Sequence, residues 1–378
     1  MKIGESIVKV IQIMDNFSVG GGVNSFVYDL CYALKEDGCD IFLIGILSIG
    51  NDNNPEVEKL RNQGIQVECL GASGKLDAIF NYMGKLETLI REIAGNENTI
   101  CNLHLKLGVL MGILATRGIK NVRCVETYHS QYSHYWLQNK ILSPFISMYV
   151  PCSESAKDEF VKRFHPQKGK VFVIPNGVNR TVLRAQVTER KEDRTISVIS
   201  VGRFTAQKNL HITAKAFSNI ENGDFEYKIY GDGILKTQII EAANESTKVK
   251  LCGTVSRRQI INELANASMV VMPSLWEGLS IFMLEALALD CPMMISDVPS
   301  LRDVFNEKPL ATNEEWRCCE WGYLVNTSNV KAYHEAMEHF LENRSMESEM
   351  KKNIEKYSQK YSMDEVAKKY KEVYRLII

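Results

Sequence analysis

The chain has 378 residues, 45% of them hydrophobic, with 45 Lys and Arg against 46 Asp and Glu. That length exceeds one ordinary domain and supports two sizeable cores, and a formal net charge of −1 excludes a general nucleic-acid binder, which carries a basic surplus. Ten cysteines without a C-x-x-C pair or a Cys/His cluster at zinc spacing exclude a cysteine-based metal centre.

Most of the cysteines lie in apolar runs and read as small core residues of a reducing compartment, the cytoplasm. With no run of about 18 apolar residues, no transmembrane helix is expected. The N-terminal stretch is too acidic, and its apolar part too short, for a signal peptide.

Residues 7–14 form a short run rich in β-branched residues, which predicts a buried strand. It leads through Asp15-Asn16 to Gly20-Gly21-Gly22. A helix is expected over 25–34, with Phe26, Val27, Leu30 and Leu34 on one face, and then a strand over 40–46. This is a βαβ unit with a right-handed crossover. The glycines lack the G-x-G-x-x-G spacing, yet they let the backbone approach a ligand closely.

Strands are expected at 66–70, 99–105, 122–128, 146–151 and 171–174. Helices are expected at 76–93, 107–117 and, behind Ser153 as N-cap, up to residue 164. His104 and His129 fall at strand carboxyl ends, where ligands of open α/β sheets bind; for His104 a purely structural role is an equal reading. Residues 131–145, with Tyr132, His134, Tyr135 and Trp136, read either as an acceptor-facing loop and helix or as packing. The basic residues Lys157, Lys162, Arg163, Lys168 and Lys170 are interspersed with Asp158 and Glu159, so they read as a solvated face more than as a lipid contact.

Pro175-Asn176-Gly177 is a strong turn signal, and residues 181–195 are polar without a core pattern, the expected linker. The βαβ rhythm then restarts. Strands are expected at 196–201, 227–230, 249–252, 269–272, 292–296 and 321–326. Helices are expected at 210–220, 258–266, 332–341, 346–357 and 363–376. The turns between them carry Gly202-Arg203, then Lys208, then Gly231-Asp232-Gly233, then Gly253 and Val255. Two cations at a strand-to-helix turn can neutralise a diphosphate without a metal.

Glu277 and Glu285 stand eight positions apart. A helix is expected over 280–289, with Ile281, Leu284, Leu287 and Ala288 on one apolar face. Glu277 then lies in the loop before it, beside Gly278, and Glu285 about one and a half turns inside. The N–H groups of Leu279, Ser280 and Ile281 at the helix start suit an anion. Two carboxylates around a cluster of amides suit a ligand bearing both hydroxyls and phosphate, such as a nucleotide sugar.

Five segments in order resemble the retaining glycosyltransferases of family 4. They are Gly20 to Val23, Val171 to Val178, Val201 to Asn209, Tyr230 to Gly233, and Pro273 to Ala286 with its E-x7-E spacing. The resemblance implies the GT-B fold: two Rossmann-like parallel α/β domains facing across a cleft. It places the acceptor-side domain at 1–178, completed by 358–378, and the donor-binding domain at 179–357. It also implies roles. Arg203 and Lys208 would hold the donor diphosphate, Glu277 the sugar hydroxyls and Glu285 the ribose. The amides of 279–281 would support sugar and phosphate, and Gly202 lies in the same phosphate-binding segment. Gly231, Gly233 and the loop at Val255 would flank the base. His129 would lie near the donor sugar and Gly21 and Gly22 near the diphosphate, with His104 and Tyr132 toward the acceptor.

Ser280 and Asp290 stand where many members carry glycine, and Asp303 where glutamate is common. The expected activity is transfer, with retained configuration, from a nucleotide-diphosphate sugar (UDP favoured) to a glycan or lipid-linked acceptor in bacterial cell-surface glycan synthesis. No metal, other cofactor or nucleic acid is expected, and a peripheral membrane contact and the oligomeric state stay open. A nucleotide-sugar epimerase of the same fold and a non-catalytic nucleotide-sugar-binding subunit are the alternatives.

Overall fold

The computed structural model describes residues 7–18, 21–50, 54–129, 140–167, 169–188 and 195–378. The chain divides into two compact units, Met1–Gly177 with Met363–Ile378, and Val178–Ser362.

The first unit holds a six-stranded parallel sheet. Its strands are β1 (Lys9–Met14), β2 (Asp40–Leu47), β3 (Gln66–Ala72), β4 (Thr99–His104), β5 (Val122–Tyr128) and β6 (Ile146–Pro151), in the order β3-β2-β1-β4-β5-β6. The β-branched runs are buried on both faces, as a parallel sheet covered by helices requires. The crossovers carry α1 (Gly22–Glu36), α2 (Pro55–Asn62), α3 (Lys75–Asn81), α4 (Met83–Ala94) and α5 (Leu105–Thr116), and α6 (Glu154–Phe164) follows β6. Ser153 caps α6, its hydroxyl accepting the Ala156 N–H at 3.1 Å.

Strand order reverses between β1 and β4, a topological switch point whose carboxyl edge is the usual ligand position of such sheets. The C-terminal helix Met363–Arg375 belongs to this unit and buries Tyr370 and Tyr374 completely. The second unit ends at Ser362 and the first resumes at Met363.

Two expectations are corrected here. The single helix over 76–93 is broken at Tyr82, which ends α3 and starts α4. The strand over 171–174 reduces to a bridge between Tyr149 and Val171. Most of 131–145 lies outside the described residues, Tyr132 included.

The second unit holds β7 (Ile196–Val201), β8 (Phe225–Tyr230), β9 (Val249–Gly253), β10 (Met269–Met272), β11 (Met293–Ser296), β12 (Trp316–Cys319) and β13 (Gly322–Val325). Their order is β12-β13-β11-β10-β7-β8-β9, parallel except for β12, an edge strand absent from the sequence reading that pairs antiparallel with β13. Here the order reverses between β7 and β10. The helices are α7 (Arg180–Ala185), α8 (Leu210–Ser218), α9 (Lys236–Ala243), α10 (Arg257–Asn266), α11 (Ile281–Ala288), α12 (Pro299–Phe305), α13 (Val330–Glu342) and α14 (Met346–Ser358).

The expected linker therefore begins as α7, whose Asn179 cap accepts the Val182 N–H at 3.0 Å. It packs on α11, and α14 and α10 pack on α11 as well. So α11 is not amphipathic, as its sequence pattern suggests, but buried all round except at Phe282.

Among the described residues no helix is long and apolar enough to cross a membrane, and no three His, Cys, Asp or Glu side chains converge as a metal site. All ten cysteines are free.

Candidate active site

In the second unit the predicted residues gather at the switch point between β7 and β10. The two strands are tied in their interior by the Ser200 hydroxyl, which donates to the Val271 carbonyl at 2.5 Å. Past its end, β7 runs through Gly202 and Arg203 into a 3-10 turn over Ala206–Lys208. Past β10 comes the loop of Pro273 to Ser280. Two bonds stitch turn to loop: the Leu275 N–H to the Gln207 carbonyl at 2.8 Å, and the Gln207 amide to the Trp276 carbonyl at 3.0 Å.

This stitching brings Lys208 to Glu277. Lys208 Nζ donates to Glu277 Oε1 at 2.5 Å, and the Ser274 hydroxyl donates to the same oxygen at 2.7 Å. Both donors fall on one carboxylate oxygen, so Oε2 keeps its acceptor capacity. The Glu277 side chain is 7% exposed and that of Lys208 21%. A carboxylate so removed from water is costly without such partners.

Gly202 makes room for the lysine stem, since a Cβ there would lie 3.2 Å from Lys208 Cγ, Cδ and Cε. Gly231 follows β8 at φ +134°, where a Cβ would fall 2.0 Å from the Gly202 carbonyl oxygen. Its N–H bonds the Gly253 carbonyl at 2.8 Å. The loops after β7, β8 and β9, with Gly233 and Val255, thereby line one edge. Arg203 is exposed there, with no carboxylate paired to it among the described residues.

Helix α11 starts behind Ser280, whose side chain makes no capping bond, so no side chain of its own cap occupies the first-turn amides of Ile281 and its neighbours. Gly278 and Leu279 lead into it. Glu285 is buried within α11, and Arg257 Nε donates to its Oε1 at 2.7 Å. Arg257 is a residue that sequence reasoning missed. It is the first helical residue of α10, behind the Ser256 cap, and nothing in its own neighbourhood marks it apart from the adjacent Arg258.

In the first unit Gly21 is the N-cap of α1 and Gly22 its first residue. Asn24 shapes the preceding loop by donating to the Asn16 and Ser18 carbonyls, each at 3.0 Å. His104 ends β4 and His129 follows β5, and the structure brings them together: His104 Nδ1 lies 3.0 Å from His129 Nε2. Their rings stack at 29°, and Phe26 of α1 meets His129 edge-on at 5.5 Å.

A polar chain continues behind the pair. His104 Nε2 is 2.7 Å from Gln12 Oε1, Asn102 Nδ2 donates to that same oxygen at 3.0 Å, and the Thr127 hydroxyl donates to Asn102 Oδ1 at 2.9 Å. The Tyr370 hydroxyl of the C-terminal helix is 3.2 Å from Thr127. Burial pushes His129 down to about 3 and His104 well below the ordinary imidazole range, His104 also through its neighbour. Both rings are neutral at pH 7.

Gln12, Asn102 and Thr127 were missed as well. Their signal was a glutamine, an asparagine and a threonine inside otherwise apolar strands. Nearby, Asp15 at the end of β1 accepts the Gly108 N–H at 2.8 Å, and burial, its main influence, raises its carboxyl above the usual range.

Comparisons with known proteins bear on both units. Residues 180–360 match the family described as "Glycosyl transferases group 1" and residues 20–182 that described as "Glycosyltransferase Family 4". A Campylobacter jejuni N-acetylgalactosamine-N,N'-diacetylbacillosaminyl-diphospho-undecaprenol 4-alpha-N-acetylgalactosaminyltransferase is 22% identical, over 60% of this chain and 60% of its own. An Escherichia coli UDP-Gal:alpha-D-GlcNAc-diphosphoundecaprenol alpha-1,3-galactosyltransferase is 26% identical, over 59% and 58%. An uncharacterised glycosyltransferase of Methanocaldococcus jannaschii is 25% identical, over 61% and 62%. The chain thus spans about three-fifths of the length of these curated relatives. Among solved structures, a Rickettsia africae glycosyltransferase superposes with a TM-score of 0.76 at 16% identity, over 99% of both chains. Anabaena HepE in complex with UDP and glucose superposes with a TM-score of 0.77 at 14% identity, over 97% of this chain and 99% of its own. The fold is GT-B.

Proposed function

We propose that this chain, whose residues 180–360 match the group 1 glycosyl transferases and residues 20–182 glycosyltransferase family 4, transfers a sugar from a nucleotide diphosphate, UDP before GDP, to a glycan or lipid-linked acceptor with retained anomeric configuration. The observation that carries this reading is the Lys208–Glu277–Ser274 arrangement at the β7/β10 switch point, with Glu285 eight residues on and both carboxylates buried. A lysine and a serine on one oxygen orient the Glu277 carboxylate and leave the other oxygen for a sugar hydroxyl. Lys208, Arg203 and the first-turn amides of α11 supply positive charge for a diphosphate. Glu285, held by Arg257, supplies an acceptor for the ribose hydroxyls.

The chemistry follows from charge. As the anomeric carbon–oxygen bond breaks, its electron pair moves onto the leaving diphosphate, where Arg203, Lys208 and the helix amides stabilise it. The acceptor hydroxyl forms the new bond on the same face, and its proton passes to a leaving phosphate oxygen. No side-chain base or resident metal is required by this route. The proteins that bind UDP and glucose or use UDP-galactose favour uridine, and the diphospho-undecaprenol relatives favour a lipid-linked acceptor of bacterial surface glycan. Free cysteines throughout and a nucleotide-sugar donor both suit the cytoplasm, with a peripheral position at the membrane face if the acceptor is lipid-linked.

The test is a thermal-shift screen against UDP-, GDP-, ADP- and TDP-sugars. It is followed by transfer assays, with and without a chelator, in which the product anomer is read by NMR. Stabilisation by a UDP-sugar and transfer with retention are expected. Donor isomerised without acceptor would make the protein an epimerase, and no stabilisation by any nucleotide would end the reading.

A further inference from the structure

We propose that His104 is a positioning residue: through its bond to Gln12 it holds His129 in the Nε2–H tautomer, keeping His129 Nδ1 bare as an acceptor for a substrate hydroxyl. With the carboxamides oriented as in the structure, each bond of the buried chain has a direction. The Thr127 proton goes to Asn102 Oδ1, so the Tyr370 O–H donates to Thr127. Asn102 Nδ2 donates to Gln12 Oε1. Gln12 Oε1 only accepts, so the contact from His104 Nε2 at 2.7 Å requires a proton on that nitrogen. A neutral imidazole carries one N–H, which leaves His104 Nδ1 as a lone pair. The His129 Nε2 facing it at 3.0 Å must then be the donor, and His129 Nδ1 is left without a proton.

His129 Nδ1 is buried and has no hydrogen-bond partner among the described residues. Buried polar atoms in folded proteins are nearly always paired; Gln12 Nε2, also unpaired among the described residues, is enclosed within the sheet, whereas His129 is only half-buried just past the carboxyl end of β5, where a ligand can supply the partner. A bare imidazole nitrogen accepts from an O–H or an N–H, and a sugar presents hydroxyls. Burial keeps both rings neutral, so neither provides a second proton. That the hydroxyl belongs to the donor sugar rests on the glycosyl-transfer reading; the tautomer of His129 does not.

The experiment is long-range proton–nitrogen NMR on the intact chain labelled with 15N-histidine, which distinguishes a protonated from a bare ring nitrogen. His129 is expected as Nε2–H, with the Nδ1 resonance moving toward a hydrogen-bonded position when UDP-sugar is added. His104→Phe, which removes the acceptor, should mix the tautomers of His129 and lower transfer about tenfold or more, mainly in kcat. His104→Gln, whose carbonyl can accept from His129 while its amide donates to Gln12, should restore the Nε2–H form and most of the rate. Should His104→Phe not fold, Gln12→Leu poses the same question, since it frees His104 to change tautomer.

Finding His129 as Nδ1–H, the form in which every bond of the chain is reversed, would overturn the proposal. So would an unchanged tautomer in both His104→Phe and Gln12→Leu. If the wild type shows the Nε2–H form but no nucleotide sugar binds, the positioning role stands and the functional reading fails.

Discussion

The two units place their candidate residues at equivalent points of two similar sheets, yet build them from opposite materials. At the β7/β10 switch the second unit uses charge: Lys208 on Glu277, Arg257 on Glu285, and an exposed Arg203. At the β1/β4 switch the first unit uses neutral groups in a directed chain, Tyr370, Thr127, Asn102, Gln12, His104 and His129. Each edge suits a different task. Charges at a turn stabilise a diphosphate that gains negative charge as a bond breaks. Buried neutral imidazoles add no charge but fix the direction of a hydrogen bond, which serves orientation. The charged edge should therefore govern rate and nucleotide affinity, and the neutral edge orientation and pH response.

The sharpest way to break this division is to remove the charges. Lys208→Ala and Glu277→Gln should each lower transfer by about 10²–10³, with far-UV circular dichroism unchanged. Glu277→Gln keeps the shape and a weaker acceptor for Lys208, so its loss reports on the carboxylate. Wild-type rates in either variant, measured as UDP release, would remove the switch-point pair from the chemistry.

The next effect belongs to the neutral side. Glu126 on β5 is 4% exposed, its Oε2 has no partner among the described residues, and burial pushes its carboxyl up to about 8 from the ordinary 4.5. Between pH 4.5 and about 8 the unfolded chain has released this proton and the folded chain still holds it. Stability therefore falls as pH rises through that window and levels off above it. Glu126→Gln should remove this contribution to the slope. It should stabilise the protein by on the order of 2–4 kcal/mol at pH 9 and by nearly nothing at pH 4. Urea unfolding of both chains at several pH values measures it; a difference independent of pH would show that ionisation is not the cause. His129, held near 3, acts in the opposite sense: stability rises with pH between about 3 and 6.5.

Smaller again is the ribose contact. Glu285→Ala should weaken UDP binding about 10–100-fold, the loss of a charge-assisted hydrogen bond of about 1.5–3 kcal/mol. Arg257→Ala should cost less alone and little more on top of Glu285→Ala, because the two act as a pair. Calorimetric titration of the four proteins gives the cycle; full additivity would mean that Arg257 reaches the nucleotide independently or not at all.

How far these two edges could be seen in the sequence follows the same contrast. The charged edge was legible because Arg203, Lys208 and Glu277 sit in strand-to-helix turns beside glycines, in short contiguous segments whose spacing can be read along the chain. The neutral edge was half legible. His104 and His129 were visible at strand ends, but Gln12 and Asn102 lie within strands and meet only because β1 and β4 are neighbours in the sheet. Arg257 was hidden for a related reason: it reaches Glu285 across 28 positions, through the packing of α10 on α11. The helix Arg180–Ala185 had no periodicity of its own to display, since six residues make less than two turns and its stability comes from lying on α11. The break at Tyr82 likewise escaped, because the apolar pattern runs on through it.

The smallest predicted effect asks how Arg257 is held in place. The first unit fixes His129 through several bonds in series, whereas Arg257 is set by the start of one helix, where the Ser256 hydroxyl accepts the Gln259 N–H at 3.3 Å. That is a long bond, and capping residues contribute about 0.5–2 kcal/mol. Ser256→Ala should therefore cost at the low end, ~0.5 kcal/mol, in urea unfolding. If the cap also aims Arg257, UDP affinity should fall about twofold, in step with that loss. If Glu285 alone aims it, affinity should stay at the wild-type value while stability still drops. The first result would put the charged edge under the same kind of indirect control as the neutral one; the second would confine such control to the histidines.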